Sequence, residues 1–211
     1  MTEETARILE ILEETYPDAH CELDHETPLE LLGATALSAQ TTDRQVNIVT
    51  KKLFADCPTL DDYLRLSEEE LRGYIRSLGF FNTKAAHLYL LFRELSDRFG
   101  GEVPRTMEEL TSLPGVGRKT ANVVLSNAFG VPALAVDTHV FRVANRIGLC
   151  AAKTPEETET ALKEAIDRSL WSRSHHLLIF HGRRICDARR PLCESCPIRG
   201  YCRHYAEKQG E

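Results

Sequence analysis

No stretch of this 211-residue sequence approaches the roughly 20 apolar residues that a helix needs to cross a bilayer. The segment Met1 to Tyr16 is acidic and amphipathic, and it lacks the basic start and apolar run of an export signal. The expectation is a cytoplasmic protein without a targeting signal and without membrane contact. Sustained strand alternation, a long linker, a low-complexity tract and a fixed-period repeat are also missing, which leaves helices joined by short connections. Net positive charge is missing as well. Against 32 aspartates and glutamates stand 26 lysines and arginines, a formal charge of −6 that excludes indiscriminate binding of nucleic acid.

Four of the seven cysteines fall close together, Cys186, Cys193, Cys196 and Cys202, with the spacing C-x6-C-x2-C-x5-C. Four thiolates within one loop can converge on a single metal centre in a reducing compartment. Zinc and iron–sulfur both accept four thiolates, and zinc usually shows two CxxC knuckles where this chain has one, so spacing alone leaves both open. A disulfide framework suits a small secreted domain better than this chain. Cys21, Cys57 and Cys150 stand alone and read as buried thiols. Arg183, Arg184, Arg189 and Arg190 bracket the first clustered cysteine, and Arg199 and Arg203 flank the last. Such a local basic face binds phosphate even on an acidic molecule, or forms a solvated surface.

Helix starts recur along the chain. Thr27 with Glu30, Thr59 with Asp62, Ser67 with Glu70, Thr106 with Glu109 and Thr154 with Glu157 each place a hydroxyl three residues before an acid, the pattern of a capping box. Pro28 and Pro155 take first-turn positions, where a missing N–H costs nothing. Gly79, Gly100 with Gly101, Gly130 and Gly148 close helical runs. The expected fold class is all-α.

Between two helices lies Leu113-Pro114-Gly115-Val116-Gly117-Arg118-Lys119, a tight hairpin whose glycines let the amides of the next helix approach a ligand closely. Lys119 falls in the first turn of that helix, where the positive dipole end and partial burial both disfavour the ammonium and favour a nucleophilic amine. A plain phosphate contact is the other reading. Eighteen residues on, Asp137 follows the apolar run Ala133 to Val136 and precedes Thr138 and His139. It reads as a helix cap, a functional carboxylate, or both; His139 receives no role.

The hairpin ending in Lys119, the segment Val136-Asp137-Thr138-His139 and the four-cysteine loop together resemble the endonuclease III family of DNA repair glycosylases. The resemblance extends from about Thr27 to about His204 and includes Leu37-Ser38-Ala39-Gln40-Thr41-Thr42-Asp43 and Gly79-Phe80-Phe81-Asn82-Thr83-Lys84. It implies a two-lobed helix-hairpin-helix glycosylase fold, with a six-helix domain over residues 22–131. A discontinuous helical domain, 1–21 with 132–211, would carry a [4Fe-4S] cluster on Cys186, Cys193, Cys196 and Cys202. Damaged DNA would lie in the groove between the lobes. The implied activity is that of a bifunctional DNA glycosylase and AP lyase acting on oxidised or ring-saturated pyrimidines, working as a monomer on double-stranded DNA. Lys119 would attack C1′ as a Schiff-base nucleophile and Asp137 would stabilise positive charge at the sugar. The cluster would be structural.

The same resemblance places Gln40 in the gap left by an extruded base and Phe80 as a second wedge, with Gly115, Gly117, Arg118, Arg189 and Arg190 on the DNA backbone. Phe80 departs from the leucine common in the family, and from sequence it also reads as a half-buried phenylalanine; Gln40 also reads as a helix-end residue, and Asp43 either reaches the damaged base or forms part of a helix cap with Thr42 and Arg44. An adenine glycosylase of the same superfamily fits less well, because Lys119 occupies the nucleophile position and Thr35 the position of its catalytic glutamate. A thymine mismatch glycosylase and a nonenzymatic DNA-binding module are the other readings, and strand cleavage at abasic sites separates the latter.

Overall fold

The computed structural model describes residues 1–210. In chain order its α-helices are α1 (Glu3–Thr15), α2 (Pro28–Leu37), α3 (Asp43–Asp56), α4 (Leu60–Arg65), α5 (Glu68–Ile75), α6 (Phe81–Phe99), α7 (Met107–Thr111), α8 (Arg118–Phe129), α9 (Thr138–Ile147), α10 (Pro155–Ala165), α11 (Trp171–Arg184) and α12 (Arg203–Gln209). No strand occurs among the described residues, in line with the all-α expectation. The chain divides into two compact units, Cys21–Val131 and Met1–His20 with Pro132–Glu211.

In the unit Cys21–Val131, α2 packs on α8, while α4 and α5 pack on α6. Leu31, Leu71, Leu88, Leu91 and Leu95 are fully buried, and Tyr63 stacks on Phe92 with ring centroids 4.1 Å apart. This unit holds seven helices where six were expected; the five-residue α7 is a single turn leading into the hairpin. Of the five expected capping boxes, those at Thr27, Thr59 and Ser67 form in full. Thr106 caps its helix, but the Glu109 carboxylate accepts from the Thr106 hydroxyl at 2.8 Å. In the second unit Thr154 likewise caps α10, and Glu157 instead accepts from the Lys153 amide at 2.7 Å. A carboxylate three residues into a helix can reach any nearby donor, so the pattern specifies the cap better than its second half.

The other unit builds its core from α1, α9, α10 and α11, with Leu12, Val140, Val143, Leu162 and Leu178 inaccessible to solvent. Helices α9 and α11 approach closely at Gly182, where a Cβ would meet His139 Cβ at 3.0 Å and Val143 Cγ2 at 3.1 Å. Cys57 and Cys150 are buried as expected; Cys21 is only half-buried. Among the described residues no helix is long and apolar enough to cross a membrane.

Candidate functional site

The hairpin is built by two glycines with different duties. Gly115 has φ +74, and a Cβ there would meet His87 Cβ at 2.9 Å, so both its conformation and its space exclude a side chain. Gly117 is the N-cap of α8 and provides no side chain to cap it. The contrast with neighbouring helices is informative. In this unit α2, α3, α4, α5 and α7 are each capped by a Thr or Ser hydroxyl, whereas α6, behind Phe80, and α8, behind Gly117, have no side-chain cap. The first-turn amides of both helices are left for an outside acceptor. Lys119 projects from the first turn of α8, half-buried, and engages none of the described residues by hydrogen bond or ion pair.

Gln40 and Phe80 are the two non-glycine residues with positive φ among those described, at +53 and +58. Phe80 is 66% exposed, which corrects the half-buried reading. Left-handed backbone at a glutamine and a phenylalanine is strained, and strain of this kind concentrates where chains meet ligands. Both side chains reach solvent from turns at helix ends, and Thr42 caps α3 just beyond Gln40.

In the other unit Asp137 caps α9, its Oδ1 accepting from the Val140 amide at 2.8 Å. The carboxylate is half-buried, and the cap occupies one of its two oxygens.

Cys186, Cys193, Cys196 and Cys202 line one pocket, together with apolar Ile147, Ile185 and Pro191. Among the described residues no three His, Cys, Asp or Glu side chains converge on a single-ion site, while all four thiols face this one pocket. Four sulfur donors around a shared pocket with an apolar wall fit an iron–sulfur cluster. Burial pushes the Cys196 thiol up to about 11 and raises Cys202, with the neighbouring thiols adding to both, so these two thiolates need the positive charge of a bound metal centre.

Sequence inspection missed the residues that shape this loop. From α9, Arg142 Nε donates to the Cys186 carbonyl at 3.0 Å, and Arg146 donates to the Asp187 and Ala188 carbonyls at 2.7 and 2.8 Å and lies 3.5 Å from Cys186 Sγ. Arg142 and Arg146 sit one turn apart on one face of α9, a spacing visible in the sequence once α9 is known. His181 Nδ1 is 3.0 Å from the buried Tyr16 hydroxyl and its Nε2 is 3.7 Å from Cys196 Sγ. Burial pushes Tyr16 up to about 12 and His181 down to about 4, so the hydroxyl keeps its proton and the imidazole is neutral. The hydroxyl therefore donates to Nδ1, leaving the imidazole proton on Nε2 facing the sulfur.

The expected basic face is smaller than the sequence suggests. Arg184 pairs with Asp18 at 2.9 Å, Arg199 donates to the Glu194 carbonyl at 2.5 Å, and Arg203 to the Asn145 carbonyl at 2.8 Å. Arg189 and Arg190 differ. Their backbone amides are held by Asp187 Oδ1 at 2.9 and 3.0 Å, which keeps the Asp187 carboxyl below the usual carboxylate range, while their side chains are exposed.

Comparison with known proteins follows the same lines. Residues 34–168 match the HhH-GPD superfamily base excision DNA repair protein model, and residues 186–202 match the iron–sulfur binding domain of endonuclease III. The chain is 49% identical over 199 residues to endonuclease III of Rickettsia conorii, covering 94% of this chain and 95% of the relative. With endonuclease III of Escherichia coli strain K12 it shares 45% identity over 201 residues, 95% of each. The fold superposes with TM-score 0.93 and 48% identity on a trapped endonuclease III–DNA covalent intermediate, covering 99% of both chains. A thermostable thymine-DNA glycosylase is more distant, at TM-score 0.85 and 25% identity over 97% of both chains. The cofactor of the four-cysteine site is a [4Fe-4S] cluster, and DNA is the partner. Open helix starts at Phe80 and Gly117, an unengaged lysine beside the second, and a four-thiol cavity all agree with these matches: the chain belongs to the endonuclease III family, within the HhH-GPD superfamily, and is a base excision repair DNA glycosylase and AP lyase.

Proposed function

We propose that the chain removes oxidised or ring-saturated pyrimidines from double-stranded DNA and then cleaves 3′ of the abasic site, with Lys119 as nucleophile for both steps. In this reading the unit Cys21–Val131 is the helix-hairpin-helix domain and the other unit is the iron–sulfur domain. The observation that carries the proposal is the start of α8, where an uncapped helix end and an unengaged lysine follow the Gly115 turn. The open amides suit a DNA phosphate, and Lys119 stands in the same first turn.

The chemistry follows from a primary amine beside an extruded nucleotide. Neutral Lys119 Nζ attacks C1′ as the C1′–N bond breaks, and the base leaves with a proton. Ring opening gives a protonated imine at C1′, which acidifies the C2′ protons. Loss of one proton from C2′ forms a C2′–C3′ double bond and expels the 3′ phosphate. Asp137, as carboxylate, stabilises positive charge at the sugar. Gln40 fills the space left by the base and Phe80 stacks against the duplex, as an aromatic ring can in place of an aliphatic wedge. Arg118, Arg189 and Arg190 contact phosphates. The cluster supplies a fixed scaffold for the loop that carries the last two. The protein acts as a monomer.

Borohydride trapping on a duplex containing thymine glycol tests this. A covalent complex is expected with the wild type and not with Lys119→Ala. Equal trapping by both would remove Lys119 as the nucleophile, and trapping by neither, on this duplex or on an abasic one, would make the enzyme monofunctional.

A further inference from the structure

We infer that Lys84 is a positioning residue for base extrusion, locking the Gln40 turn to the Phe80 turn so that the two inserting side chains advance together. Lys84 lies in the first turn of α6 and is only 8% exposed. Its backbone amide donates to the Phe80 carbonyl at 3.0 Å, and its Nζ donates to the hydroxyl of Thr41, the residue after Gln40, at 2.6 Å. One residue thus joins the strained Phe80, through its backbone, to the neighbour of the strained Gln40, through its side chain. A second bond joins the same two segments nearby, Gln45 Nε2 to Ser77 Oγ at 3.2 Å.

The choice of lysine is what points to function. Burial lowers the pKa of Lys84, and no carboxylate pairs with its ammonium. A methionine of similar length would fill the space without desolvating a charge, and such replacements of buried charged groups are often neutral or stabilising. A lysine retained there for stability alone would be a poor choice, whereas a directional bond to Thr41 fixes the Gln40 turn relative to α6. Left-handed backbone at two non-glycine residues persists only where its surroundings over-determine it. The Lys84 side chain ties the turn that holds Gln40 to the helix that Phe80 begins, and so adds to that determination.

The inference rests on the proposed insertion of Gln40 and Phe80, and its test separates the two. With holoenzyme and a lesion duplex carrying 2-aminopurine opposite the damage, extrusion is followed under single-turnover conditions for Lys84→Met, Thr41→Val and the double variant, beside Gln40→Ala and Phe80→Ala. Thermal melting and affinity for undamaged duplex are measured alongside. Lys84→Met and Thr41→Val are each expected to slow extrusion between about 10- and 100-fold, the effect of a small misplacement. The double variant should be no slower than the slower single, because both remove one bond. Thr41→Ser, which keeps the acceptor, should restore the rate, and Lys84→Met should melt no lower than wild type. Slow extrusion in Gln40→Ala and Phe80→Ala with wild-type rates in Lys84→Met and Thr41→Val would overturn this inference alone. Wild-type rates in Gln40→Ala and Phe80→Ala would overturn the insertion reading and this inference with it. A fall in melting temperature that fully accounts for the slower rate would reduce Lys84 to a structural residue.

Discussion

Asp137 caps a helix and is proposed to act at the sugar, two duties that mutation can separate. Its Oδ1 caps α9 through the Val140 amide, and asparagine is as good a cap as aspartate. Asp137→Asn should therefore melt within a degree or two of wild type and bind damaged duplex normally, yet turn over more slowly by about 100-fold or more if the carboxylate stabilises charge in the transition state. An unchanged single-turnover rate would leave Asp137 as a cap only. The sequence offered both readings, because an acid after an apolar run and before a helix fits either, and the cap is the one the structure shows. Phe80 was less legible from residue type, which reads as half-buried, whereas in the structure it stands in a left-handed turn at φ +58 and is exposed.

At the scale of elements, the hairpin and the cluster loop are the parts most exposed to single changes. Gly115→Ala introduces left-handed strain worth about 1–3 kcal/mol and a contact with His87 besides, so melting temperature and affinity for DNA should fall together. A variant that melts lower but binds as tightly would show that the hairpin's shape is not what DNA reads. In the cluster loop, His181→Phe removes the N–H facing Cys196, 3.7 Å away. Loss of iron to a chelator, followed by the cluster's visible absorbance, is expected to quicken by about tenfold or more, as for other partners of metal ligands. His181→Gln retains a donor and should fall between the two. The loop's dependence on α9 and α11 was hidden in the sequence, where Arg142, Arg146 and His181 look like ordinary polar positions on amphipathic helices.

Over the whole molecule, the half-buried His176 and the buried His181 set the response to acid. His176 is pushed down to about 3, by burial first and then by His175, Arg173 and His20, and His181 is pushed down to about 4 by burial. In the unfolded chain both titrate near 6.5. Below that pH the unfolded state takes up protons that the folded state refuses, so this stability is complete above about pH 6.5 and is lost as pH falls toward 4 and then 3. Between pH 7.5 and 5.0 each histidine should remove on the order of 2 kcal/mol from the unfolding free energy, a window in which most carboxylates remain ionised. Urea unfolding of holoenzyme at the two pH values measures the loss, and His176→Gln should shrink it; a flat response would mean that these imidazoles are hydrated. The sequence by itself determined the local features, because hydroxyl caps, C-terminal glycines, the Pro-Gly-x-Gly turn and the cysteine spacing each act through neighbours a few residues away. It thereby specified the helices, the hairpin ahead of Lys119 and the metal-binding loop. Tertiary structure alone decided which partners distant residues would meet: Lys84 with Thr41 and Tyr16 with His181, 43 and 165 residues apart. Those contacts depend on how packed helices bring their faces together, and no local pattern of residue types encodes that register.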